Sequence, residues 1–405
     1  MNPFFEPLLQ EWLFRSLPQV IPRSQPIKLE NIGLLGKVLV ITGFRRTGKT
    51  YLLFDAISRL LKNLPRQKVV YVNFEDERIP IQEETLTQLL PQIKSTYGSL
   101  PDYLFLDELQ NQLNWSKWLR RVLDSTSIKI VVTGSSSRLS SFEIPTELRG
   151  RAWEKTVYPL SFPEFIRFGG TNFNDFLTYG SFPEVVLAPQ EKKIELLQSY
   201  FQTVVKREIL DRHHLKNEEP LKTVLKLLLN STSVTVSKTY NDLKSLGLVI
   251  GKTTLNQYFS YFRDSYFTAE ASHFSASAKN RLLYPRKLYI IDSGFITALS
   301  TRFSQNYGRL LENQIYWHLR QRNSDVFYWR NPRTGQEVDF VQDGRLYQVC
   351  YDLSDPDTLK REIRSLVQAG KKLRITNLSL VYYYPATLPL PPTVTAVPAT
   401  DFLST

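Results

Sequence analysis

Eight consecutive residues, Gly43-Phe44-Arg45-Arg46-Thr47-Gly48-Lys49-Thr50, set two glycines around a four-residue gap and end on Lys-Thr. That spacing suits the capture of a phosphate chain. Main-chain N–H groups converge on the anion at the start of a helix, where the partial positive charge lies. Lys49 would reach the β and γ phosphates, and the Thr50 hydroxyl would ligate Mg²⁺. ATP and Mg²⁺ are the ligands this pattern calls for. Asp107-Glu108 closes an apolar run, Tyr103-Leu104-Phe105-Leu106. Asp107 would hold the Mg²⁺ shell, and Glu108 would polarise the water that attacks the γ-phosphate. Thr133 and Ser135, in Thr133-Gly134-Ser135, are candidates to touch the γ-phosphate or that water; a hydroxyl-rich turn with no ligand is the alternative. Arg149 and Arg151 are candidate arginine fingers, in cis or from a neighbouring subunit, or surface partners of Glu147 and Glu154. The catalytic set is therefore Glu108, Lys49 and Arg151.

Such groups work only if a fold brings them to one edge. Val38-Leu39-Val40-Ile41-Thr42 is a short aliphatic run that reads as a buried strand. Tyr51 to Leu61 carries Leu52, Leu53, Ala56, Ile57 and Leu60 at helical spacing. Further strands are predicted at Lys68–Phe74, Tyr103–Leu106, Ile128–Thr133 and Trp153–Tyr158, with a helix from Trp115 to Leu123. Alternation of this kind argues for a parallel sheet with helices on both faces and ligand at the carboxyl ends of the strands. Glu75 and Asp76, just past the second strand, would face the same edge or lie in a solvated loop.

The chain has 405 residues, enough for two or three domains. Its one cysteine, Cys350, allows no internal disulfide, and no apolar run approaches the roughly 18 residues of a spanning helix. The N-terminus lacks the basic stretch and apolar core of a secretory signal. A soluble cytoplasmic protein with no membrane contact is the expectation. The formal net charge is +12, which favours a polyanionic partner, DNA or an acidic protein. Residues 201–290 hold 14 Lys and Arg against 7 Asp and Glu, so +7 of the excess is local.

Four segments are predicted. Residues 1–36 form a leading segment with an apolar helical stripe (Phe5, Leu8, Leu9, Trp12, Leu13, Leu17). Residues 37–170 form the phosphate-binding core. Residues 171–268 are helical; Lys206-Arg207-Glu208 and Asp211-Arg212-His213-His214 make a charged face rather than a metal site. Within them Leu221 to Asn230 is a helix, Ser237 caps a second, Gly247 ends it, and a third starts near Thr253. Two short helices around a glycine turn suggest a winged helix-turn-helix. Its second helix would offer Lys252, Thr253, Asn256, Gln257, Ser260 and Arg263 to phosphates and base edges, or pack on protein. Residues 269–405 return to mixed α/β, with a helix around Glu312 and strands at Val326–Arg330, Glu337–Val341 and Leu346–Tyr351.

With these residues in view, the chain resembles prokaryotic ATPases of the AAA superfamily that carry a C-terminal domain of unknown function. The resemblance rests on Gly43–Thr50, Tyr71–Glu75, Asp107-Glu108-Leu109-Gln110, Thr133-Gly134-Ser135, Leu148-Arg149-Gly150-Arg151 and Pro159-Leu160-Ser161-Phe162. Ser237–Tyr266 looks like the winged-helix segment. Glu312, Glu337–Phe340 and Gln348–Cys350 look like a C-terminal region similar to the restriction-endonuclease-like nuclease fold. The resemblance implies ATP binding and hydrolysis, with oligomers common. In the nuclease fold an Asp is followed, one strand later, by an acid, one residue and a lysine. Glu312 and Asp339 fit the acidic positions, but Gln348-Val349-Cys350 supplies neither acid nor lysine. A degenerate, non-cleaving domain is expected, unless a lysine such as Lys360 enters from elsewhere. The reading is a nucleotide-driven switch; the rivals are an ATP-gated Mg²⁺-dependent nuclease and a non-catalytic DNA-binding module with structural nucleotide.

Overall fold

The computed structural model describes residues 4–135, 148, 150–215, 217–229, 233–248, 250–277, 279, 281, 284–300, 306–386 and 390–405. The chain divides into two compact units, Met1–Val157 and Tyr158–Thr405.

The first unit is a five-stranded parallel sheet. Its strands are β1 (Val38–Thr42), β2 (Val69–Asn73), β3 (Tyr103–Asp107), β4 (Lys129–Thr133) and β5 (Ala152–Thr156), in the order β2-β3-β4-β1-β5. Helices α1 (Phe5–Phe14), α2 (Lys49–Leu60), α3 (Thr85–Tyr97) and α4 (Trp115–Ser125) cover it. Successive strand residues point to opposite faces, and both faces are apolar. Val38, Val40, Val70, Val72, Leu104, Leu106, Ile130 and Val132 pack with α3 and α4. Leu39, Ile41, Tyr71, Phe105 and Val131 pack with α2 and Trp12. A fully buried side chain of this kind contributes about 1.5–3 kcal/mol, so the sheet is a rigid platform. Residues 1–36 belong to this unit rather than standing apart from it. Trp12 Nε1 donates to the Val69 carbonyl at 2.9 Å, and the Arg23 guanidinium donates to the Thr47 carbonyl at 3.0 Å.

The second unit begins with short helices α5 (Phe162–Arg167), α6 (Phe173–Tyr179) and α7 (Pro183–Leu187). Helix α8 (Gln190–Thr203) runs into a π-helical stretch, Val204–Asp211. Next come α9 (Glu219–Leu229), β6 (Ser233–Val234), α10 (Val236–Ser245) and α11 (Lys252–Asp264), then β7 (Thr268–His273) and β8 (Arg286–Ile290). β8 pairs antiparallel with both β7 and β6. Helix α10 is capped by Thr235, not by Ser237: Thr235 has extended backbone and its side chain accepts from the Lys238 N–H. The chain closes with α12 (Ser293–Leu299), α13 (Tyr307–Arg322), β9 (Phe327–Arg330), β10 (Glu337–Gln342), β11 (Arg345–Asp352), α14 (Pro356–Leu373), β12 (Asn377–Tyr384), β13 (Val394–Pro398) and α15 (Ala399–Ser404).

One eight-stranded sheet, in the order β13-β12-β11-β10-β9-β7-β8-β6, runs through this unit. It crosses the boundary expected at 268/269, because β7 pairs with β9 in parallel. The expected boundary at 170 likewise falls inside the second unit. Among the described residues, no helix is long and apolar enough to cross a membrane.

Candidate functional site

The glycine loop joins β1 to α2, and its shape depends on glycine at two points. Gly43 has φ +136°, and a Cβ there would lie 2.2 Å from the Val157 carbonyl oxygen. Gly48 has φ +92° and directly precedes α2. The Thr47 hydroxyl donates to the Phe44 carbonyl at 2.9 Å and tightens the turn. Lys49 is buried, and its ammonium donates to the carbonyls of Gly43 (3.0 Å) and Phe44 (3.1 Å). The cation is thus held across the mouth of its own loop. Arg45 pairs with Glu75, which brings that acid to the same edge.

Strand β4 lies between β1 and β3, so its tip stands between the loop and the two acids. Thr50 Oγ1 donates to Asp107 Oδ2 at 2.8 Å. Tyr71 OH donates to the same oxygen at 2.9 Å. Thr133 Oγ1 accepts from the Glu108 N–H at 3.0 Å and donates to Asp107 Oδ1. A hydroxyl has one proton. In this arrangement Thr133 bridges the two acidic residues. Ser135 likewise meets Glu108: its N–H (3.1 Å) and hydroxyl (3.0 Å) both donate to Oε2, as does Gln110 Nε2. Lys49 Nζ is 3.9 Å from the other oxygen of Glu108.

These contacts separate the two carboxylates electrically. Burial and the charge of Glu108 push Asp107 above the usual range, against the hydrogen bonds from Thr133, Thr50 and Tyr71. Burial acts on Glu108 too, but Lys49, Gln110 and the Ser135 N–H outweigh it and hold Glu108 below the usual range. Glu108 is therefore ionised at neutral pH. Asp107 is a buried carboxyl that accepts from the Thr50, Tyr71 and Thr133 hydroxyls. Thr50 and Asp107 together offer the hard oxygen donors that Mg²⁺ takes.

Arg151 is not part of this site. The Val38 N–H donates to its carbonyl, so it lies at the amino end of β1, about 16 Å of strand from the loop. Its guanidinium is in a surface ion pair, with Asp124 rather than with the expected Glu147 or Glu154. Arg149 lies outside the described residues. Tyr71 and Gln110, which hold Asp107 and Glu108, were not singled out as site residues. Tyr71 carried a signal, being a polar-tipped side chain set among Val69, Val70 and Val72.

In the second unit, Lys252, Thr253, Asn256, Gln257 and Arg263 are all exposed on α11, while Leu255, Tyr258, Phe259 and Phe262 are buried. Lys252 lies over the Tyr240 ring at 5.4 Å, and Arg263 pairs with Glu270 at 3.2 Å. Ser260 donates to Asp264 at 3.2 Å. His213 stacks on Tyr261 with ring centres 3.6 Å apart.

Of the four residues expected at a degenerate nuclease site, Glu312, Asp339 and Gln348 come together and Cys350 bonds elsewhere. Asp339 Oδ2 accepts from the Val349 N–H (3.0 Å) and from Gln348 Nε2 (2.9 Å). Gln348 Nε2 also donates to Glu362 at 2.7 Å. Cys350 donates to the Asp352 carbonyl at 3.1 Å, and burial pushes its thiol up to about 11. Lys360 is exposed and does not enter; its ammonium is 3.9 Å from Asp357. A different lysine does. Lys287 Nζ lies 3.1 Å from Glu312, 3.0 Å from Asp339 and 2.7 Å from Glu337. Tyr289 OH donates to Glu312 at 2.8 Å. Burial opposes the charge on Lys287, yet Glu312 and its neighbours hold the ammonium well above its ordinary range. Burial pushes Asp339 up to about 7 despite Lys287.

A model of the AAA domain matches residues 35–166, and one of a domain of unknown function, DUF8612, matches residues 170–306. The uncharacterized protein MJ1544 of Methanocaldococcus jannaschii is 35% identical over 407 residues, covering 93% of this chain and 88% of that protein. An uncharacterized protein of Haemophilus influenzae is 28% identical over 356 residues, covering 84% of this chain and 88% of that one. Among solved structures, the Walker-type ATPase PABY2304 of Pyrococcus abyssi is similar at 14% identity and a TM-score of 0.45, over 70% of this chain and 99% of that one.

Proposed function

This chain belongs to the family of MJ1544 and carries an AAA domain, and from that premise we propose that it binds ATP with Mg²⁺ and hydrolyses it as a nucleotide-driven switch. The observation that supports this most is the 2.8 Å hydrogen bond from Thr50 to Asp107. It joins the hydroxyl at the loop's end to the acid on β3, the two groups between which Mg²⁺ would bind. Mg²⁺, when bound, would neutralise charge on the β and γ oxygens. Lys49 would turn from the Gly43 and Phe44 carbonyls to the phosphates. Glu108, ionised, would take the proton of the attacking water. Ser135 and Gln110 fix the rotamer of Glu108, so they are positioning residues in this scheme. A steady-state turnover assay with Mg·ATP, run with and without duplex DNA, tests the proposal. Absence of turnover under both conditions contradicts it.

We further infer that the substrate of the switch is DNA or a DNA-associated partner. The succession α9-β6-α10-α11-β7-β8, with β8 paired to both other strands, has the element order of a winged helix. The exposed polar face of α11 and the local charge of +7 support it. Duplex binding measured by anisotropy should then fall steeply with salt, by roughly 100-fold between 50 and 200 mM if four phosphates are contacted. Lys252→Ala should weaken it about equally for all sequences. An affinity flat across that range removes the DNA reading and leaves the ATPase reading intact.

A further inference from the structure

A nuclease-like fold brings with it the expectation of a divalent metal between its acids, and here the residues do not fit one. Among the described residues, no three His, Cys, Asp or Glu side chains are disposed to hold a metal ion. The reason is Lys287. Its side chain leaves β8 and is only 5% exposed as a residue. The ammonium has three protons, and three carboxylates surround it: Glu312 from α13 at 3.1 Å, and Glu337 and Asp339 from β10 at 2.7 and 3.0 Å. These include the two acids expected to be the metal ligands.

We propose that the Lys287 ammonium is a built-in cation that takes the place of the divalent metal, so that the acid cluster of the second unit binds no metal and serves as an internal clasp between β8, β10 and α13. This reading does not depend on what the nucleotide site does.

The partners of the acids agree with it. Both oxygens of Asp339 are engaged, one by Lys287 and the other by Gln348 Nε2 and the Val349 N–H. Glu312 Oε1 accepts from Lys287 and from Tyr289. Gln348 stands where the nuclease pattern has an acid. Its amide nitrogen faces two carboxylates, Asp339 and Glu362, at 2.9 and 2.7 Å. That orientation is dictated, because only the NH₂ end can donate. Gln348 thus ties two acids together through its amide nitrogen, while its buried Oε1 accepts no hydrogen bond. Cys350, two residues on, is a neutral thiol on the Asp352 carbonyl and supplies no cation. Of the departures from the metal-binding pattern, Gln348 serves the cluster by donating to Asp339. A second cation cannot enter without expelling the first. Divalent cations want oxygens at about 2.0–2.6 Å, whereas these stand at ammonium distances.

The test is Mn²⁺ binding to the full-length protein without nucleotide, counted from the free Mn²⁺ signal in electron paramagnetic resonance. Wild type, Glu312→Gln and Asp339→Asn should bind Mn²⁺ alike, because the cluster contributes no site. Lys287→Ala should gain one site, roughly tenfold or more tighter than any Mn²⁺ binding in the wild type, with the thermal midpoint rising on Mn²⁺ addition. Adding Asp339→Asn to Lys287→Ala should remove that gain. The idea is overturned if the wild type holds a Mn²⁺ that Glu312→Gln or Asp339→Asn releases, a comparison that stands even if Lys287→Ala fails to fold. It is equally overturned if a folded Lys287→Ala gains no site.

Discussion

Glu108→Gln is expected to lower ATP turnover by roughly 100-fold or more, the range for a positioned general base, while ATP affinity stays within about threefold of wild type. The expectation follows from how Glu108 is held. Lys49, Gln110 and the Ser135 N–H keep it in the ionised form needed to accept a proton. The amide of Gln has the same shape and still offers an oxygen to Ser135 and Gln110, so the local fold survives. It cannot take a proton from water. Binding, in contrast, draws on the loop and on Thr50 and Asp107, which the change leaves in place. Turnover and labelled-ATP affinity measured on the same preparation separate the two effects. Equal turnover in wild type and variant would mean that another group activates the water, or that the nucleotide is structural.

Lys49→Ala should act on binding itself. Loss of one charged hydrogen-bond partner of the phosphates removes about 2–3 kcal/mol, or roughly 30- to 150-fold in affinity. Lys49 also donates to the Gly43 and Phe44 carbonyls, so part of the loss would come from a looser loop. Lys49→Arg helps to distinguish these contributions. It keeps the charge, but its planar fork cannot reproduce a point cation in so tight a turn. Affinity should recover only slightly if phosphate contact by a compact ammonium is what matters. Near-complete recovery would assign the effect to charge alone. ATP affinity of Lys49→Ala equal to wild type would remove the lysine from the site.

The first unit was legible because its signals are local. Four apolar runs became β1 to β4 and the mixed segment near Trp153 became β5, with bounds within about two residues of those expected, and the glycine loop and acid pair fell at strand ends as a parallel sheet requires. What could not be read there was which partner each hydroxyl would choose. Thr133 and Ser135 reach the strand tip as anticipated, yet their protons go to Asp107 and Glu108. That choice depends on β4 lying between β1 and β3, a fact of strand order and not of spacing. Arg151 failed for a related reason. Five residues of β5 separate the two edges of the sheet, and sequence distance from the loop does not say at which edge an arginine lies.

The second unit was harder because its pairings are long-range. β7 and β8 were missed: Thr268-Ala-Glu-Ala-Ser-His273 is only weakly apolar, and it is a strand because β8 and β9 flank it. Lys287 was missed with them. In Arg286-Lys-Leu-Tyr-Ile290 the alternation puts Lys287 and Tyr289 on one face. A lysine just ahead of the apolar run Leu288-Tyr289-Ile290 was the available hint. Glu312 and Glu337 are 25 and 50 residues away along the chain, so only the folded sheet shows why it is there.

Isothermal titration of the wild-type protein with ATP, with and without Mg²⁺, tests the central claim most directly. The account expects one saturable site per chain, tighter when Mg²⁺ is present, because Thr50 and Asp107 then share a cation with the phosphates. No heat of binding up to millimolar ATP, or an affinity indifferent to Mg²⁺, would contradict it.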